Sequence, residues 1–308
     1  MKTINPNIQN LLKYGARKPN STYWCQKCNV PLIQEKCENC RKQGIIVSKS
    51  FLRPVFKEEL DFIKKQSRSR SKWLSLPDLS IWVAKRNYFY NGERIFTTEG
   101  LTDGEPLEVK FWGKSTHLPK NPLRSETIIS RLKKANQTSL NRLEYHAIEF
   151  IESAVKTFHE RLPIVSFSGG KDSCVVSHLV KLALGSKIIH IFSDTTMENP
   201  DTYKVIERFK EENPIIPFLT AKPPKGFFEL AEAIGPPSRI LRWCCTTHKT
   251  GPLGSLIGMV DGNGTVTFVG NRKTESLRRS KYNSIEFDHK VANEVLVNPI
   301  LTWNDTEI

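Results

Sequence analysis

The segment 163–173, which reads PIVSFSGGKDS, constrains the fold of this chain more than any other stretch. Its first five residues, Pro163–Phe167, are apolar and partly β-branched, a pattern typical of a short buried strand. The apolar run Cys174–Leu184 predicts a helix, which Asp172 or Ser173 would cap at its N-terminus. The chain is therefore expected to turn sharply from a strand into a helix at two consecutive glycines.

A strand, a glycine turn and a helix N-terminus together form an anion-binding site. Backbone N–H groups converge there, the helix dipole adds positive potential, and the glycines let a phosphate approach the backbone. Lys171 adds a mobile positive charge next to the glycines. The spacing differs from G-x-x-x-x-G-K-[ST], so the segment is not a Walker A loop. An ordinary strand–turn–helix corner is the alternative interpretation.

Strands and helices alternate regularly after residue 162, which predicts the α/β class with a doubly wound parallel sheet. The predicted strands are Lys187–Phe192, Ile215–Thr220, Thr265–Val269 and Val295–Ile300, and the predicted helices are Pro200–Glu212 and Phe227–Ala233. Ligands of such sheets bind at the carboxyl ends of the strands. The loops at Ser168, Asp194 and Gly270 all follow predicted strands, so we expect them to meet at one nucleotide site.

The hexapeptide SGGKDS, residues 168–173, resembles the PP-loop of the adenine nucleotide alpha-hydrolase-like ATP pyrophosphatases. Within that superfamily, three later segments resemble the phosphoadenosine phosphosulfate (PAPS) reductase-like family. They read SDTTMENPDTY at 193–203, RWCCTTHK at 242–249 and GNRKTESLR at 270–278. The first of them departs from the family pattern, because Thr196 stands where glycine is usual and Asp201 where glutamate is usual.

The resemblance implies a bound nucleotide, with ATP and Mg²⁺ as the expected cofactors. The residues expected to bind the nucleotide are Ser168, Gly169, Gly170, Lys171, Asp172, Ser173, Asp194 and Gly270. Among them, Asp194 would ligate Mg²⁺ or contact the nucleoside. The candidates to neutralise phosphate or sulfate oxygens are Arg242, Lys249, Arg272 and Arg278, with Glu275 orienting an arginine. The catalytic candidates are Lys171, Asp194, Arg242 and Arg272.

Cys244 and Cys245 form a tandem pair with a possible redox or cluster role. In adenosine phosphosulfate reductases, a similar tandem pair is half of a [4Fe–4S] ligand set, and a later C-x2-C is the other half. No cysteine follows Cys245, so an iron–sulfur cluster on that plan is possible but not completed by this chain. His248 is predicted to be structural. Because residues 298–305 resemble a family segment before a closing helix, we expect the chain to be truncated or split.

The N-terminal half contains the cysteine pattern C-x2-C-x8-C-x2-C, formed by Cys25, Cys28, Cys37 and Cys40. Each C-x2-C pair can turn two thiolates toward one ion, and two such pairs complete a tetrahedral site. A segment this polar has no core of its own, so metal binding would supply its folding energy. We expect a structural Zn²⁺, with an iron–sulfur cluster as the competing interpretation.

Short apolar runs between residues 45 and 120 predict a small β-rich module. The predicted elements are strands at Ile45–Val47, Ile81–Ala84, Tyr88–Tyr90, Arg94–Thr97 and Leu107–Trp112, a hairpin turn at Asn91-Gly92 and a helix at Val55–Lys65. A basic cluster at 67–72 lies beside Trp73, and with Trp82 it could bind a nucleic-acid backbone and stack a base. A solvated loop beside core tryptophans is the alternative interpretation.

Charge is distributed unevenly along the chain, whose net charge is +14. Residues 1–160 hold 28 Lys and Arg against 16 Asp and Glu, whereas residues 161–308 are nearly neutral. This asymmetry favours a polyanionic partner of the N-terminal half, with nucleic acid as the first candidate and a merely solubilising surface as the alternative. No apolar run approaches the ~20 residues that span a bilayer. We therefore expect a cytoplasmic protein without a membrane partner.

The predicted order is a basic leader (1–20), a zinc ribbon (21–44), the β-rich module (45–120), a linker and helix (121–160) and the PP-loop domain (161–308). The expected function is ATP-dependent activation of an acceptor for sulfur transfer, with release of pyrophosphate. The expected acceptor is a nucleic acid, as in tRNA thiolation or DNA phosphorothioation, and the expected partner is a sulfur-donor protein. The alternatives are a PAPS or adenosine phosphosulfate reductase, and a nucleotide- or nucleic-acid-binding module without turnover.

Overall fold

The computed structural model describes Leu11 and residues 21–308, except 101–106, 113–117, 120, 239, 261–262, 289–290 and 292. Apart from Leu11, the predicted basic leader therefore lies outside the described residues. The chain divides into two compact units. The ribbon unit comprises residues 17–143 and 304–308, and the α/β unit comprises residues 1–16 and 144–303. The finer segment boundaries given above stay predictions.

The ribbon unit begins with three short strands, which are β1 (Thr22–Cys25), β2 (Val30–Leu32) and β3 (Ile45–Ser48). They form an antiparallel sheet in the order β2-β1-β3. The apolar side chains of Trp24 and Val30 are fully buried in it. The two C-x2-C pairs lie in turns that follow β1 and β2, so the sheet brings them to the same end of the ribbon.

A second sheet contains β4 (Arg53–Pro54), β5 (Trp82–Ala84), β6 (Asn87–Tyr90), β7 (Glu93–Glu99) and β8 (Glu108–Phe111). Its five strands are antiparallel and follow one another in chain order. The predicted hairpin at Asn91-Gly92 is confirmed, since Tyr90 pairs with Glu93 across that turn. Two-residue turns join β5 to β6 and β6 to β7, whereas helix-containing chain separates β4 from β5.

Helix α1 (Lys57–Ser67) packs against this second sheet through Leu60 and Ile63, which are buried. It begins two residues later than the predicted start at Val55. The reason is that the Val55 N–H donates to the Ile81 carbonyl at 2.9 Å, so this residue pairs with the sheet instead of the helix.

Two further helices, α2 (Ser125–Ala135) and α3 (Gln137–Thr157), are separated by the buried residue Asn136. Its side-chain oxygen accepts a hydrogen bond from the Ile33 N–H at 2.7 Å, and its amide nitrogen donates to the Pro31 carbonyl at 3.0 Å. The junction between the helices is therefore joined to the chain next to β2, which attaches α2 to the ribbon.

The strands of the α/β unit are β9 (Leu162–Ser166), β10 (Ile189–Ser193), β11 (Phe218–Ala221), β12 (Thr265–Phe268), β13 (Ile285–Asp288) and β14 (Glu294–Val297). They form one sheet in the order β11-β10-β9-β12-β14-β13. All neighbours are parallel except the edge strand β13, which is antiparallel to β14. The predicted α/β class is confirmed. The antiparallel edge strand β13 was not predicted, because its sequence IEFD is too short and polar to stand out.

Helices cover both faces of this sheet, as doubly wound folds require. They are α4 (Lys171–Leu184), α5 (Pro200–Glu212), α6 (Phe227–Ile234), the single turn α7 (Trp243–Cys245) and α8 (Gly251–Val260). Ile191 and Phe192 are adjacent in β10 and therefore point to opposite faces. Ile191 packs with Ile257 of α8, and Phe192 packs with Ile206 of α5. Within the described part of the chain, no helix is long and apolar enough to cross a membrane.

Candidate functional site

The predicted turn between β9 and α4 is present. Gly169 has a φ of 74°, a left-handed conformation that side chains disfavour, which explains the glycine at this position. Helix α4 begins at Lys171 with Gly170 as its N-cap, and no side chain caps it. The predicted cap by Asp172 or Ser173 is therefore wrong, because both residues already lie inside the first helical turn.

Two serine hydroxyls brace this turn from within. Ser168 Oγ donates to Ser173 Oγ at 3.2 Å, and Ser173 Oγ donates to the Gly170 carbonyl at 2.8 Å. Within the part of the chain that the structure describes, neither hydroxyl accepts a hydrogen bond from the first N–H groups of α4. Those backbone donors, together with the positive end of the helix dipole, can therefore bind an anion.

The loop after β12 closes over the first turn of α4. A Cβ atom at Gly270 would lie 2.9 Å from the Asp172 carbonyl carbon, so this approach requires glycine. The Arg272 side chain, which is 5% exposed, places its Nε 3.0 Å from Asp172 Oδ1. Lys171 Nζ lies 2.9 Å from the same oxygen. The structure thus brings the segments 168–173 and 270–278 together, with Asp172 between two cations.

Asp194 follows β10 and is buried at the carboxyl edge of the sheet. Its Oδ1 accepts hydrogen bonds from the Thr196 N–H at 2.8 Å and from the Tyr203 hydroxyl at 2.7 Å. Its Oδ2 lies 3.7 Å from Lys222 Nζ. Burial, together with the neighbouring Asp194 carboxylate, raises the pKa of Tyr203 to about 12. Two hydrogen-bond donors therefore orient the carboxylate, and Lys222 adds a positive charge nearby.

Thr196 occupies the position where the family pattern has glycine, and its φ is 63°. This is the left-handed conformation, which is unfavourable for a β-branched residue. Thr196 Oγ1 accepts a hydrogen bond from the Phe227 N–H at 2.9 Å, a contact that glycine could not make. Thr196 therefore adopts a backbone conformation that suits glycine, and its hydroxyl attaches this loop to α6.

Two residues of the Asp194 cluster were not predicted from the sequence. Tyr203 closes the segment 193–203 and lies on α5, where its hydroxyl reaches back to the carboxylate. Lys222 directly follows β11. Its place at the carboxyl end of a strand is the same signal that identified Asp194, and it could have been found in this way.

Three of the predicted anion-binding residues, Arg242, Lys249 and Arg278, are exposed. Within the described residues their side chains make no hydrogen bond or ion pair, so no contact draws them to the PP-loop. Glu275 accepts a hydrogen bond from the Arg272 N–H at 2.8 Å and forms an ion pair with Arg279. The guanidinium that Glu275 orients is therefore that of Arg279, which the sequence analysis did not single out.

Cys244 and Cys245 lie in α7, and both are half-buried free thiols. His248 follows in a π-helical turn, Thr246–Thr250, and is 2% exposed. Its ring packs against Trp243, with ring centroids 5.6 Å apart. This buried position agrees with the expectation that His248 is structural.

The four cysteines of the ribbon converge in two matching turns. Sγ of Cys25 lies 3.4 Å from Sγ of Cys40, and Sγ of Cys28 lies 3.7 Å from Sγ of Cys37. All four sulfur atoms lie within 4.8 Å of one another. Each turn ends in a residue with positive φ, Asn29 at 55° and Arg41 at 62°. The second turn therefore repeats the backbone form of the first.

This arrangement fits one tetrahedral metal ion. Four sulfur atoms bound at about 2.3 Å from a central ion lie roughly 3.8 Å apart, close to the observed spacing. Burial raises the pKa of the Cys25 and Cys28 thiols. A dication would remove this penalty, because it stabilises the thiolate form. The predicted proximity of the four cysteines is confirmed, and the identity of the metal stays a prediction.

The tryptophans next to the basic cluster are core residues. Trp73 and Trp82 are each 2% exposed, and they belong to two apolar clusters of the ribbon unit. Side chains buried in this way cannot stack on a base. The hypothesis of base stacking by these two residues is wrong, and the alternative of a loop beside core tryptophans is the one that agrees with the structure.

Comparison with known proteins relates the C-terminal part of the chain to a family. Residues 162–308 match the family model described as the phosphoadenosine phosphosulfate reductase domain. An uncharacterized protein of Methanocaldococcus jannaschii is 30% identical over 213 residues, which are 68% of this chain and 44% of that protein. An adenosine 5'-phosphosulfate reductase of Staphylococcus haemolyticus is 29% identical over 166 residues, which are 53% of this chain and 65% of that protein. The chain thus spans less than half of the archaeal relative.

Solved structures give weaker similarities. A PAPS reductase from Candida auris aligns with a TM-score of 0.37 and 15% identity over 55% of this chain and 81% of that chain. An FMN adenylyltransferase from Candida glabrata aligns with a TM-score of 0.37 and 18% identity over 54% of this chain and 53% of that chain. Scores of this size do not by themselves establish a common fold. The assignment therefore rests on the family model, which matches residues 162–308 to the phosphoadenosine phosphosulfate reductase domain, and the four sequence segments agree with it.

Proposed function

We propose that the α/β unit binds ATP with Mg²⁺ at the PP-loop and activates an acceptor for sulfur transfer. The observation that carries the proposal is the buried contact between Arg272 and Asp172. Since Lys171 lies beside the same carboxylate, the three side chains carry a net positive charge next to a glycine turn and a helix N-terminus, and all of these features attract phosphate oxygens. Exposed Lys171 adds a second positive charge that can follow the phosphates.

The proposed reaction has two steps. An oxygen atom of the acceptor first attacks the α-phosphorus of ATP, so that a new oxygen–phosphorus bond forms and the bond to pyrophosphate breaks. A sulfur atom that the donor protein releases at the sulfide level then attacks the activated acceptor and displaces AMP, so that the step consumes no oxidant or reductant. The protein contributes mainly by positioning and by neutralising phosphate charge, which is the usual mode of catalysis in phosphoryl and nucleotidyl transfer.

Asp194 is the residue that we expect to hold Mg²⁺. Carboxylate oxygens suit this ion, and one oxygen of Asp194 is already oriented by Thr196 and Tyr203. The other oxygen faces Lys222 at 3.7 Å, a distance that leaves room for the lysine to turn toward a phosphate instead. When bound, Mg²⁺ would neutralise part of the phosphate charge.

We propose a nucleic acid as the acceptor and a structural Zn²⁺ in the ribbon. The first rests on the excess of 28 Lys and Arg over 16 Asp and Glu in residues 1–160. The second rests on the sulfur spacing, since four cysteine ligands leave no open position for catalysis. The chemistry requires a sulfur source, for which we propose a donor protein, and a cytoplasmic location is consistent with free cysteines.

A second candidate function is favoured by the relatives. Several of them are adenosine 5'-phosphosulfate reductases, with 25–29% identity. In that case the PP-loop would bind adenosine phosphosulfate, a thiolate would attack its sulfur atom, and AMP would leave. The feature of this chain that supports this chemistry is the pair of free, half-buried thiols of Cys244 and Cys245, beside Arg242.

The experiment that separates these candidates measures two products from the same preparation. Pyrophosphate release is followed with ATP, Mg²⁺ and either tRNA or DNA, and sulfite release is followed with adenosine phosphosulfate and a thiol reductant. Lys171→Ala is the test variant. Lys187→Ala is its matched control, because Lys187 is also exposed but precedes β10 at the opposite, amino end of the strands.

We expect pyrophosphate release that nucleic acid stimulates, that Lys171→Ala lowers about a hundredfold and that Lys187→Ala leaves unchanged. Loss of one charged hydrogen bond of about 1.5–3 kcal/mol gives an effect of this size. Sulfite release without pyrophosphate release would support the reductase instead. ATP binding without either product would support a module that binds nucleotides without turnover.

A further inference from the structure

A separate cleft of about 620 Å³ opens in the α/β unit between the chain after β11 and helix α8. Its volume lies in the range of small-molecule sites. The apolar part of its lining consists of Pro223, Pro224, Leu230, Pro252, Leu256 and Met259. The polar part includes Lys222, Lys225, Thr247 and His248. We call it the His248 cleft. None of the residues 168–173 line it.

The hydrogen bonds of His248 define which of its nitrogens carries a proton. Thr247 Oγ1 donates to the Trp243 carbonyl at 2.9 Å, so its own proton is used there. The same oxygen lies 2.8 Å from His248 Nδ1 and must therefore accept a hydrogen bond from Nδ1–H. In the neutral ring, Nε2 is then an acceptor with a free lone pair.

Nε2 of His248 is buried and has no hydrogen-bond partner among the described residues. A buried acceptor without a donor is unfavourable, and native proteins usually satisfy such groups. The missing donor is an N–H or O–H group. Because His248 lines the cleft, a ligand in the cleft can bring that group, although a side chain of the lining must shift for it to reach Nε2.

Two lysines add positive charge to this cleft. Lys222 Nζ is 3.7 Å from Asp194 Oδ2, and Lys225 Nζ is 3.3 Å from Glu229 Oε1. Both side chains are about 60% exposed, so they can turn toward an anionic ligand. Lys222 also links the cleft to Asp194 and hence to the candidate nucleotide site. A ligand held here would therefore lie beside the bound ATP.

We infer that the His248 cleft binds one nucleotide unit of the acceptor. A nucleobase is a flat ring that can pack against the apolar lining, and its N–H groups can donate to His248. The phosphate of the same nucleotide can pair with the two lysines. This inference rests on the proposed function, because it gives the acceptor a place next to the activated nucleotide. The unit is a free nucleotide or part of a strand, and both sources present the same chemistry.

The test measures binding of the four ribonucleoside 5'-monophosphates to the full chain by calorimetry. Saturating α,β-methylene-ATP with Mg²⁺ is present, so that the PP-loop is filled and only a second site is reported. The variants are His248→Phe, which removes the acceptor but keeps an aromatic ring, and His248→Gln, which restores a carbonyl acceptor. Lys225→Gln is compared with Lys204→Gln. Both lysines are exposed and form an ion pair with a nearby acidic residue, Lys225 with Glu229 and Lys204 with Asp201.

We expect at least one monophosphate to bind in the presence of the ATP analogue. His248→Phe and Lys225→Gln should weaken it about tenfold, while His248→Gln and Lys204→Gln stay within about twofold of the wild type. Binding that disappears when the analogue is added, or that His248→Phe and Lys225→Gln leave unchanged, would overturn the inference. If His248→Phe does not fold, the comparison of Lys225→Gln with Lys204→Gln decides the test.

Two further arms distinguish the remaining outcomes. A short single-stranded RNA that binds more tightly than the monophosphates, with the same response to the variants, identifies a strand as the source. Equal affinity identifies a free nucleotide. If the ATP analogue itself does not bind, the proposed function fails, and the cleft is then judged by the response of monophosphate binding to the variants alone.

Discussion

The cysteine centre and the PP-loop both gather ligand-binding groups at the ends of short strands, but they do so over different distances along the chain. Cys25 and Cys40, the outermost ligands of the ribbon, lie in one short segment and act through their side chains. The PP-loop relies on backbone N–H groups and on Arg272, which reaches Asp172 from a distant segment. The first site therefore depends on an ion, and the second on the correct assembly of a whole sheet.

The largest effect that we expect is the loss of the ribbon when its metal is removed. Structural zinc supplies about 10–16 kcal/mol in comparable small domains, and the ribbon has few buried residues of its own. Cys28→Ser should therefore abolish metal binding and expose Trp24, which is fully buried next to Cys25. Metal analysis and the NMR signal of the Trp24 indole measure the two effects.

Cys174→Ala is the matched control, because Cys174 is a half-buried cysteine of α4 outside the cluster. One metal ion per chain in this variant and none in Cys28→Ser is the expected pair of results. A ribbon that stays folded in Cys28→Ser without metal would contradict the conclusion that the cysteine site depends on an ion.

The next effect in size concerns the ion pair of the PP-loop. Arg272→Met leaves Asp172, whose side chain is 18% exposed, without its buried partner. Removing one member of a buried pair costs about 3–5 kcal/mol, and we expect a loss of stability near the lower end because Lys171 remains beside Asp172. Urea unfolding of the α/β unit measures it. Arg278→Met, which changes an exposed arginine of the same segment, should stay within about 0.5 kcal/mol.

A smaller effect tests the close approach of the loop after β12. Gly270→Ala would bring a Cβ atom to 2.9 Å from the backbone of Asp172, so the loop must move. We expect a destabilisation of about 1–3 kcal/mol and weaker ATP binding. Gly258→Ala is the control, because nothing lies within 4 Å of its Cβ and alanine favours the helix α8. Equal thermal stability of the two variants would contradict the close approach.

The smallest effect concerns Tyr203. Its pKa is raised to about 12, so above pH 10 the unfolded chain loses this proton while the folded chain keeps it. The contribution of Tyr203 to stability is therefore complete below pH 10 and decreases as the pH rises toward 12. Tyr203→Phe removes this dependence and costs about 1 kcal/mol at neutral pH, through the lost hydrogen bond to Asp194. Ultraviolet titration of the phenol and unfolding at several pH values measure it.

The contrast between the sites also explains which parts could be predicted from the sequence. The cysteine centre and the turn at Gly169 follow from residues that are close in the chain, so spacing alone predicts them. The contact of Arg272 with Asp172 and that of Tyr203 with Asp194 depend on how strands pair and helices pack, and no local pattern encodes them. The same limit applies to the antiparallel edge strand and to the lone pair of His248.

Calorimetric titration with ATP and Mg²⁺ tests the central claim most directly, since it asks whether Arg272 and the PP-loop form one nucleotide site. The wild type is compared with Arg272→Met and Arg278→Met at a temperature where all three are folded. We expect one site per chain, at least tenfold weaker in Arg272→Met and unchanged in Arg278→Met. Wild-type protein that does not bind ATP, or Arg272→Met that binds it with full affinity, would contradict the account.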